Sequence, residues 1–365
     1  MKTQVAVGLS GGVDSAMAAY LLLRQGYDVL GLTMATWDGS IPMPDLGLSG
    51  CYGPGEARDL QAAQEVARSL GIPHHTVRLA DEFRTSVLDY FREEYRCGRT
   101  PNPCVRCNQR MKFGLLLDRA RAQGIAFDLF ATGHYARVEP GADGRIRLQR
   151  AHDRRKDQSY FLARLGQAQL QSLLLPLGGM DKTAVKALAA EMGMPQLAEK
   201  PESQDFLESR DYGALFSPED SRPGPILDLS GQVLAQHRGI IHYTVGQRKG
   251  VGLSGAGRPL YVTRIDALAN AVIVGPKEAL YCRSFLVRDL NWISRADAPV
   301  EPLAVEVQVR QQHKPAPAEI SPEAAGTALR VDCADPQLSV TPGQTAVFYD
   351  GEYVVGAGTI DIAQV

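Results

Sequence analysis

No stretch of 18 consecutive apolar residues occurs in the 365-residue chain, so no apolar membrane-spanning helix and no membrane partner are expected. The opening Met1-Lys2-Thr3-Gln4-Val5 runs straight into a strand-like segment and lacks the pattern of a secretory leader; a cytoplasmic location is expected. Cysteine is scarce. Six in this length are too few for a disulfide scaffold, and two of them stand as Cys104-x-x-Cys107, a spacing that in a cytosolic protein points to redox chemistry or metal ligation. A surplus of charge is also missing: 39 Lys and Arg against 41 Asp and Glu exclude a globally basic nucleic-acid coat, though not a local basic face. No internal repeat, low-complexity tract or collagen-like period accompanies the 36 glycines and 22 prolines. What is present is a soluble globular composition, 44% hydrophobic and 22% charged, which excludes wholesale disorder. At about 150 residues per domain, the length predicts two or three domains.

Through about residue 135 strand and helix patterns alternate. Strands are predicted at Val5–Leu9, Asp28–Met34, His75–Leu79 and Phe127–Thr132. Helices are predicted at Asp14–Arg24, Glu56–Leu70 with Gly71 as its stop, Glu82–Tyr95, and Met111–Gln123 closing at Gly124. Such alternation implies βαβ units, a parallel sheet and ligands at the strand C-terminal ends. Residues 39–55, rich in Gly and Pro, are expected to form a long flexible functional loop. After about residue 205 short β-like runs separated by Gly and Pro take over: Pro225–Leu229, His242–Val245, Leu260–Ile265, Ala271–Val274, Phe285–Val287, Ala304–Val309, Thr327–Asp332, Thr345–Tyr349 and Tyr353–Ala357. They read as an all-β tail with a small barrel.

Ser10-Gly11-Gly12-Val13-Asp14-Ser15 lies between the first strand and the first helix. The glycines allow a sharp turn and close approach of a ligand, the amides at the helix start point at an anion, and two hydroxyls add donors. No lysine follows the glycines, so this is not the lysine-bearing ATPase loop. A second glycine pattern, Gly250-Val251-Gly252-Leu253-Ser254-Gly255, precedes a strand-like run and no helix, and is rejected as a dinucleotide fingerprint.

Gly8 to Ser15 resembles the PP-loop of the ATP pyrophosphatases, which adenylate a carbonyl oxygen and release pyrophosphate. Five further blocks resemble the tRNA-specific 2-thiouridylase family within that superfamily. They are Gly98–Asn108 with Met111-Lys112-Phe113; Ala131–Arg137; Lys156–Phe161; Tyr243–Gly250; and Gly343–Tyr349, ordered along nearly the whole chain. The resemblance implies an α/β PP-loop domain with a parallel sheet of the adenine nucleotide alpha hydrolase type (residues 1–205). A small central β-rich domain (206–276) and a C-terminal β-barrel (277–365) follow. It implies that ATP, with Mg²⁺, adenylates the C2 oxygen of the wobble uridine in a tRNA anticodon arm. Sulfur from a cysteine-desulfurase relay then displaces AMP to leave 2-thiouridine. Oxide is a poor leaving group and AMP a good one, and sulfur is a strong nucleophile near neutral pH.

Carried over residue by residue, the resemblance implies ATP contacts at Gly8, Leu9, Ser10, Gly11, Gly12, Val13, Asp14, Ser15, Met34 and Gly133. It implies tRNA contacts at Asn102, His134, Lys156, Asp157, Gln158, Arg310 and Gln344, and a nucleophile at Cys107. Arg99, Arg106, Arg110 and Lys112 lie close in sequence, and near it in space they would depress its pKa. The chain departs from the family pattern twice. Position 104 is Cys where Asp is common, and Phe206-Leu207 follows Lys200–Asp205 where a second, persulfide-bearing cysteine is expected. Two arrangements fill the gap. Cys104 replaces the partner and works with Cys107, or Cys104, Cys107 and Cys51 ligate a [4Fe-4S] cluster whose open iron binds sulfide. Arg84–Lys112 holds seven cations against three acids and Arg145–Lys156 six against one, whereas residues 301–365 hold three against nine, so RNA is expected along the α/β domain. Another PP-loop sulfurtransferase, or a non-catalytic ATP- or iron–sulfur-binding regulator, are the alternative functions.

Overall fold

The computed structural model describes residues 2–199, 205–209, 211–253, 258–323 and 327–364. The chain divides into two compact units. One comprises Met1–Ser86, Cys104–Asp211 and Glu352–Val354; the other comprises Val87–Pro103, Tyr212–Gly351 and Val355–Val365. Among the described residues no helix is long and apolar enough to cross a membrane.

The first unit is built on five parallel strands in the order β3-β2-β1-β4-β7: β1 (Gln4–Gly8), β2 (Asp28–Ala35), β3 (His74–Arg78), β4 (Leu129–Ala131) and β7 (Leu173–Leu174). Strands β1 and β4 neighbour each other although far apart in sequence, so the winding reverses between them and opens a crevice at their C-terminal ends. Val5, Ala6 and Val7 are fully buried, as a strand covered on both faces requires. Helix α1 (Val13–Arg24) covers them with Ala16, Met17, Ala19 and Leu22, the two alanines letting it lie close to the sheet and Met17 and Leu22 filling the space between. Helices α2 (Glu56–Leu70) and α4 (Lys182–Glu191) pack beside it through Ala63, Val66, Ala67, Val185 and Ala189. Each large side chain so buried contributes roughly 1.5–3 kcal/mol. Gly71 ends α2 in the left-handed conformation at φ 67°, as expected of a C-terminal stop.

Two predicted helices are interrupted. The helix predicted over Glu82–Tyr95 is helical from Ala80 to Arg96 but widens to a π-helical turn at Arg84–Leu88. The helix predicted from Met111 begins earlier, as α3 (Pro103–Cys107), and passes through a π-helical stretch, Asn108–Leu115, into Leu116–Ala122. Wide turns of this kind gather at functional sites, and this one follows Cys107 directly. A hairpin, β5 (Ala136–Pro140) with β6 (Ile146–Arg150), is additional to the predicted elements.

The loop at residues 39–55, expected to be flexible, is clamped over its second half. Tyr52 bridges Leu207 in parallel register, and the Cys51 and Tyr52 N–H groups donate to Phe206 O at 3.0 and 2.9 Å. Tyr52 also stacks on Phe83 with ring centroids 5.5 Å apart. Glu208, 1% exposed, lies against Gly50, Gly53 and Gly55, where any Cβ would come within 3 Å of it, and accepts the Gly55 N–H at 2.8 Å. The Phe206-Leu207 segment that lacks the second cysteine therefore lies beside Cys51.

In the second unit β8 (Gly224–Leu227), β9 (Val233–His237), β10 (Tyr261–Asp266) and β11 (Ala271–Gly275) form one sheet in the order β10-β11-β8-β9. The strand predicted at His242–Val245 is instead a short 3₁₀ turn, Ile240–His242, followed by the buried Tyr243. Strand β10 is the first element after the rejected glycine pattern, whose Ser254 and Gly255 lie outside the described residues. Six further strands form a barrel in the order β12-β15-β14-β13-β16-β17, closed by pairing of β12 (Tyr281–Trp292) with β17 (Tyr353–Gln364). The others are β13 (Leu303–Gln308), β14 (Ala316–Glu323), β15 (Ala328–Leu338) and β16 (Thr345–Asp350). Closure leaves no open edge, and Phe285, Val287, Val307, Ile320, Leu329, Val331, Phe348 and Ile360 fill the interior.

The two elbow glycines do different things. Gly11 has φ 69° and a Cβ there would stand 2.6 Å from Ala62 Cβ on α2. Gly12 has φ −98°, and its Cβ would meet only Ser10 Oγ at 3.5 Å. Gly11→Ala is expected to lose about 1–3 kcal/mol in urea unfolding, and Gly12→Ala less than about 0.5 kcal/mol. Equal losses would contradict the packing described.

Candidate active site

At the C-terminal ends of β1, β2 and β4 lies a cavity of about 380 Å³. Gly8, Leu9, Ser10, Gly12, Val13, Asp14 and Ser15 form one wall, Met34 and Gly133 another, and Cys51, Lys112, His134 and Gln158 also face it. Of the ten expected ATP contacts, Gly11 alone lies outside the lining, because it is packed against α2. Gly12 precedes α1 in an extended conformation and has no side chain to cap the first-turn amides, which stay available to an anion. Ser15 Oγ donates to Gly12 O at 3.0 Å and accepts the Ser10 N–H at 3.2 Å, fixing the elbow from inside. Gly133 is needed for closeness: a Cβ would stand 2.6 Å from the Asp14 carbonyl carbon.

Sequence reasoning missed several groups that set this geometry. Lys182 Nζ, from the start of α4, donates to both carboxylate oxygens of Asp14 at 2.7 Å, and Tyr135 OH donates to Oδ1 at 2.8 Å. Glu56 accepts the backbone N–H groups of Thr36 and Trp37 and ties the end of β2 to α2. Thr33 Oγ1 donates to Leu9 O at 2.8 Å and joins β2 to the elbow. Tyr135 lies within the Ala131–Arg137 block but its bond to Asp14 is not legible there, and Lys182, Glu56 and Thr33 belong to none of the quoted blocks.

The carboxylates lining the cavity are all engaged: Asp14 by Lys182 and Tyr135, Glu56 by backbone amides, and Asp59 by Ser49 Oγ at 3.1 Å. Glu56 Oε1 and Asp59 Oδ2 are the engaged oxygens of the latter two, and a Mg²⁺ carried with a nucleotide would need only one or two such carboxylates beside the phosphates.

Cys107 is buried, Cys104 half-buried and Cys51 exposed; all three are free thiols. Cys51 faces the cavity, whereas among the described residues Cys104 and Cys107 are not part of its lining. The expected activation of Cys107 by neighbouring cations is overturned. Burial pushes its thiol up to about 12, and Lys112 works the other way without prevailing. Arg99 is instead paired with Glu94 and Asp361, both at 2.9 Å, and Arg106 donates to Ser86 O. Burial first, and then Cys51, push Cys104 up to about 12 as well. The three thiols and Lys112 influence one another electrically, and three thiolates are the donor type an iron–sulfur cluster takes. Among the described residues, however, no group of three or more Cys, His, Asp or Glu is arranged to hold a metal ion, so the donors match a cluster and their placement does not.

The expected tRNA contacts are dispersed. His134 and Gln158 face the cavity. Burial, helped by Lys112, holds the His134 ring down to about 3, so it is neutral at physiological pH, with Nδ1 2.8 Å from Thr132 Oγ1. Asp157 accepts from Ala151 N–H at 2.9 Å and from Ser159, and Lys156 is half-buried. In the second unit Gln344 Nε2 donates to Thr100 O and Pro101 O, Arg310 donates to Leu338 O, and Asn102 is half-buried.

Comparison with known proteins decides the family. Residues 3–207 match the profile described as tRNA methyl transferase HUP domain, 217–276 the tRNA methyl transferase PRC-barrel domain, and 282–360 the Aminomethyltransferase beta-barrel domain. The tRNA-specific 2-thiouridylase MnmA of Heliobacterium modesticaldum is 46% identical over 367 residues, covering 99% of this chain and 93% of that protein. The protein of that name from Chloroflexus aurantiacus is 48% identical over 363 residues, covering 98% of each. That from Acetivibrio thermocellus is 43% identical over 365 residues, covering 98% of this chain and 99% of its own. The chain belongs to the tRNA-specific 2-thiouridylase family. The profile descriptions speak of methyl transfer and the relatives' names of thiolation; identity along the full length decides for the 2-thiouridylases.

The pKa shifts of this 2-thiouridylase site have a direct readout. A thiol raised to about 12 is almost entirely protonated near pH 8 and ionises only as the pH climbs toward 12. Iodoacetamide at pH 8, mapped by mass spectrometry, is expected to label Cys51 before Cys107 by on the order of a hundredfold in rate, with Cys107 accelerating steeply above pH 10. Equal rates at pH 8 would remove the burial argument.

Proposed function

We infer that this chain is an ATP-dependent tRNA-uridine 2-sulfurtransferase that forms 2-thiouridine. One observation carries the reading: the glycine elbow and the ends of β1 and β4 share a single cavity of about 380 Å³ with Lys112, which lies five residues beyond Cys107 in the chain. A site for activating a carbonyl oxygen with nucleotide needs an anion cradle, and a site for replacing that oxygen needs a sulfur within reach.

In this reading the triphosphate lies on the amides that open α1, and adenine lies against Met34 and Gly133. The C2 oxygen of the wobble uridine attacks the α-phosphorus, pyrophosphate leaves, and sulfur then displaces AMP. Mg²⁺ carried with the nucleotide would supply charge neutralisation at the phosphates. His134, neutral and buried, offers a hydrogen-bonding ring to the base without adding charge. In the pair route Cys104 receives a persulfide from the relay, the Cys107 thiolate attacks its inner sulfur, a Cys104–Cys107 disulfide forms and hydrosulfide leaves to displace AMP, and an external thiol then reduces the disulfide; Lys112 is the cation that favours thiolate once burial is relieved by substrate. The base leaves its stack to enter. The basic runs at Arg84–Lys112 and Arg145–Lys156 engage anticodon-arm phosphates, and Asn102, Lys156, Asp157, Gln158, Arg310 and Gln344 are further tRNA contacts of this reading. A cysteine-desulfurase relay supplies the sulfur, and the protein works in the cytoplasm, where tRNA is. Residues 1–205, 206–276 and 277–365 are its PP-loop, central and barrel domains. A second reading makes Cys51, Cys104 and Cys107 the ligands of a [4Fe-4S] cluster; their donor type suits it, and against it stands the lack, among the described residues, of any group of three such side chains arranged to hold a metal ion.

Purified protein, ATP, sulfide and tRNA bearing a wobble uridine are expected to yield 2-thiouridine by nucleoside mass spectrometry. Omission of ATP abolishes it, and with a persulfide-charged sulfur donor in place of sulfide Cys107→Ala lowers it at least about a hundredfold. A deletion strain that loses a different thionucleoside would indicate another sulfurtransferase. ATP binding without tRNA-dependent pyrophosphate release would indicate a regulator. Cys51→Ala separates the two sulfur routes. The Cys104/Cys107 pair expects near-normal turnover. The cluster expects collapse of turnover, with loss of iron and broad visible absorption from anaerobically reconstituted protein.

A further inference from the structure

The elbow carries no lysine of its own, yet it is not without a cation. We propose that Lys182 is the positioning residue of the ATP site, acting through Asp14: it cancels and immobilises that carboxylate so that a triphosphate can occupy the start of α1. This rests on the assignment of the elbow as the nucleotide site.

Asp14 lies in the first turn of α1 and lines the cavity. A carboxylate there competes with an incoming anion for the positive end of the helix, and repels a triphosphate at close range. Lys182 removes both effects. Its Nζ stands 2.7 Å from each Asp14 oxygen, a symmetrical approach that leaves the pair without net charge. The ammonium lies behind the carboxylate, since Lys182 is only 7% exposed. Tyr135 completes the clamp: its hydroxyl donates to Asp14 Oδ1 at 2.8 Å, and its ring centroid lies 5.6 Å from Nζ. Both partners are fixed from outside. The Tyr135 N–H donates to Gln158 Oε1 at 2.9 Å, and the Lys182 N–H donates to Asp153 Oδ2 at 3.3 Å. A lysine used merely to fasten α4 to the sheet needs neither burial nor a cavity-facing partner.

The test is the dissociation constant for radiolabelled ATP by equilibrium dialysis, with tRNA-dependent pyrophosphate release measured alongside. Lys182→Gln is expected to weaken ATP binding at least tenfold and Lys182→Arg less than threefold. In the doubly neutral Asp14→Asn/Lys182→Gln variant binding returns to within threefold of Asp14→Asn alone. The inference is overturned if Lys182→Gln binds ATP as the wild type does, or if the double variant is no better than Lys182→Gln. Should Lys182→Gln not fold, thermal melting will show it, and the double variant alone decides: weaker binding than Asp14→Asn by more than threefold overturns the proposal. Wild-type protein that neither binds ATP nor releases pyrophosphate would instead overturn the functional assignment.

Discussion

Backbone meets backbone at the start of α1, and the cavity at the strand ends depends on that contact. Gly11 presses on the Ala62–Ala63 stretch of α2, and Gly133, just beyond β4, presses on the main chain of Asp14 and Ser15. A single Cβ at either place would push apart elements whose convergence forms the cavity. The strand order β3-β2-β1-β4-β7 puts this contact at the crevice between β1 and β4, where the winding changes direction. Hence the glycines, the cavity and the topology express one constraint.

Electrostatics at the site follow from burial as much as from charge. The Asp14–Lys182 pair keeps the floor of the elbow neutral, leaving helix amides as the attraction for phosphate. Around the cysteines the balance is opposite: Lys112 is the favourable cation, but desolvation outweighs it and keeps Cys104 and Cys107 protonated. A resting thiol of this kind is protected from adventitious oxidation, and its reactivity depends on a change of environment when substrate arrives. Cys51, by contrast, is exposed and faces the cavity.

Local signals made part of the fold legible. The buried run of β1, the helical spacing and the Gly71 stop of α2, and the glycine elbow are short-range features, and each predicts its element within a residue or two. The elements that escaped prediction depend on partners. Strand β14 carries Pro317 and Pro322, residues that argue against a strand, and exists because β13 and β15 flank it in the closed barrel. The hairpin β5–β6 and strand β9 are polar or half-exposed and show no clear alternation. The Gly- and Pro-rich loop reads as flexible until Glu208 and Leu207, some 150 residues later, are known to clamp it.

What the amino-acid order determined by itself was chemistry of short range: an anion-binding elbow without lysine, a Cys-x-x-Cys pair, and the collinear blocks that mark a 2-thiouridylase. Tertiary structure alone decided which groups those residues meet. It put Lys182 on Asp14, Cys51 in the cavity beside the segment that lacks a second cysteine, and Cys107 deep enough for burial to override its cationic neighbours. The reason is physical. A turn or helix start depends on dihedral preferences within a few residues, whereas desolvation and ion pairing depend on distances in space, and only the folded chain sets those.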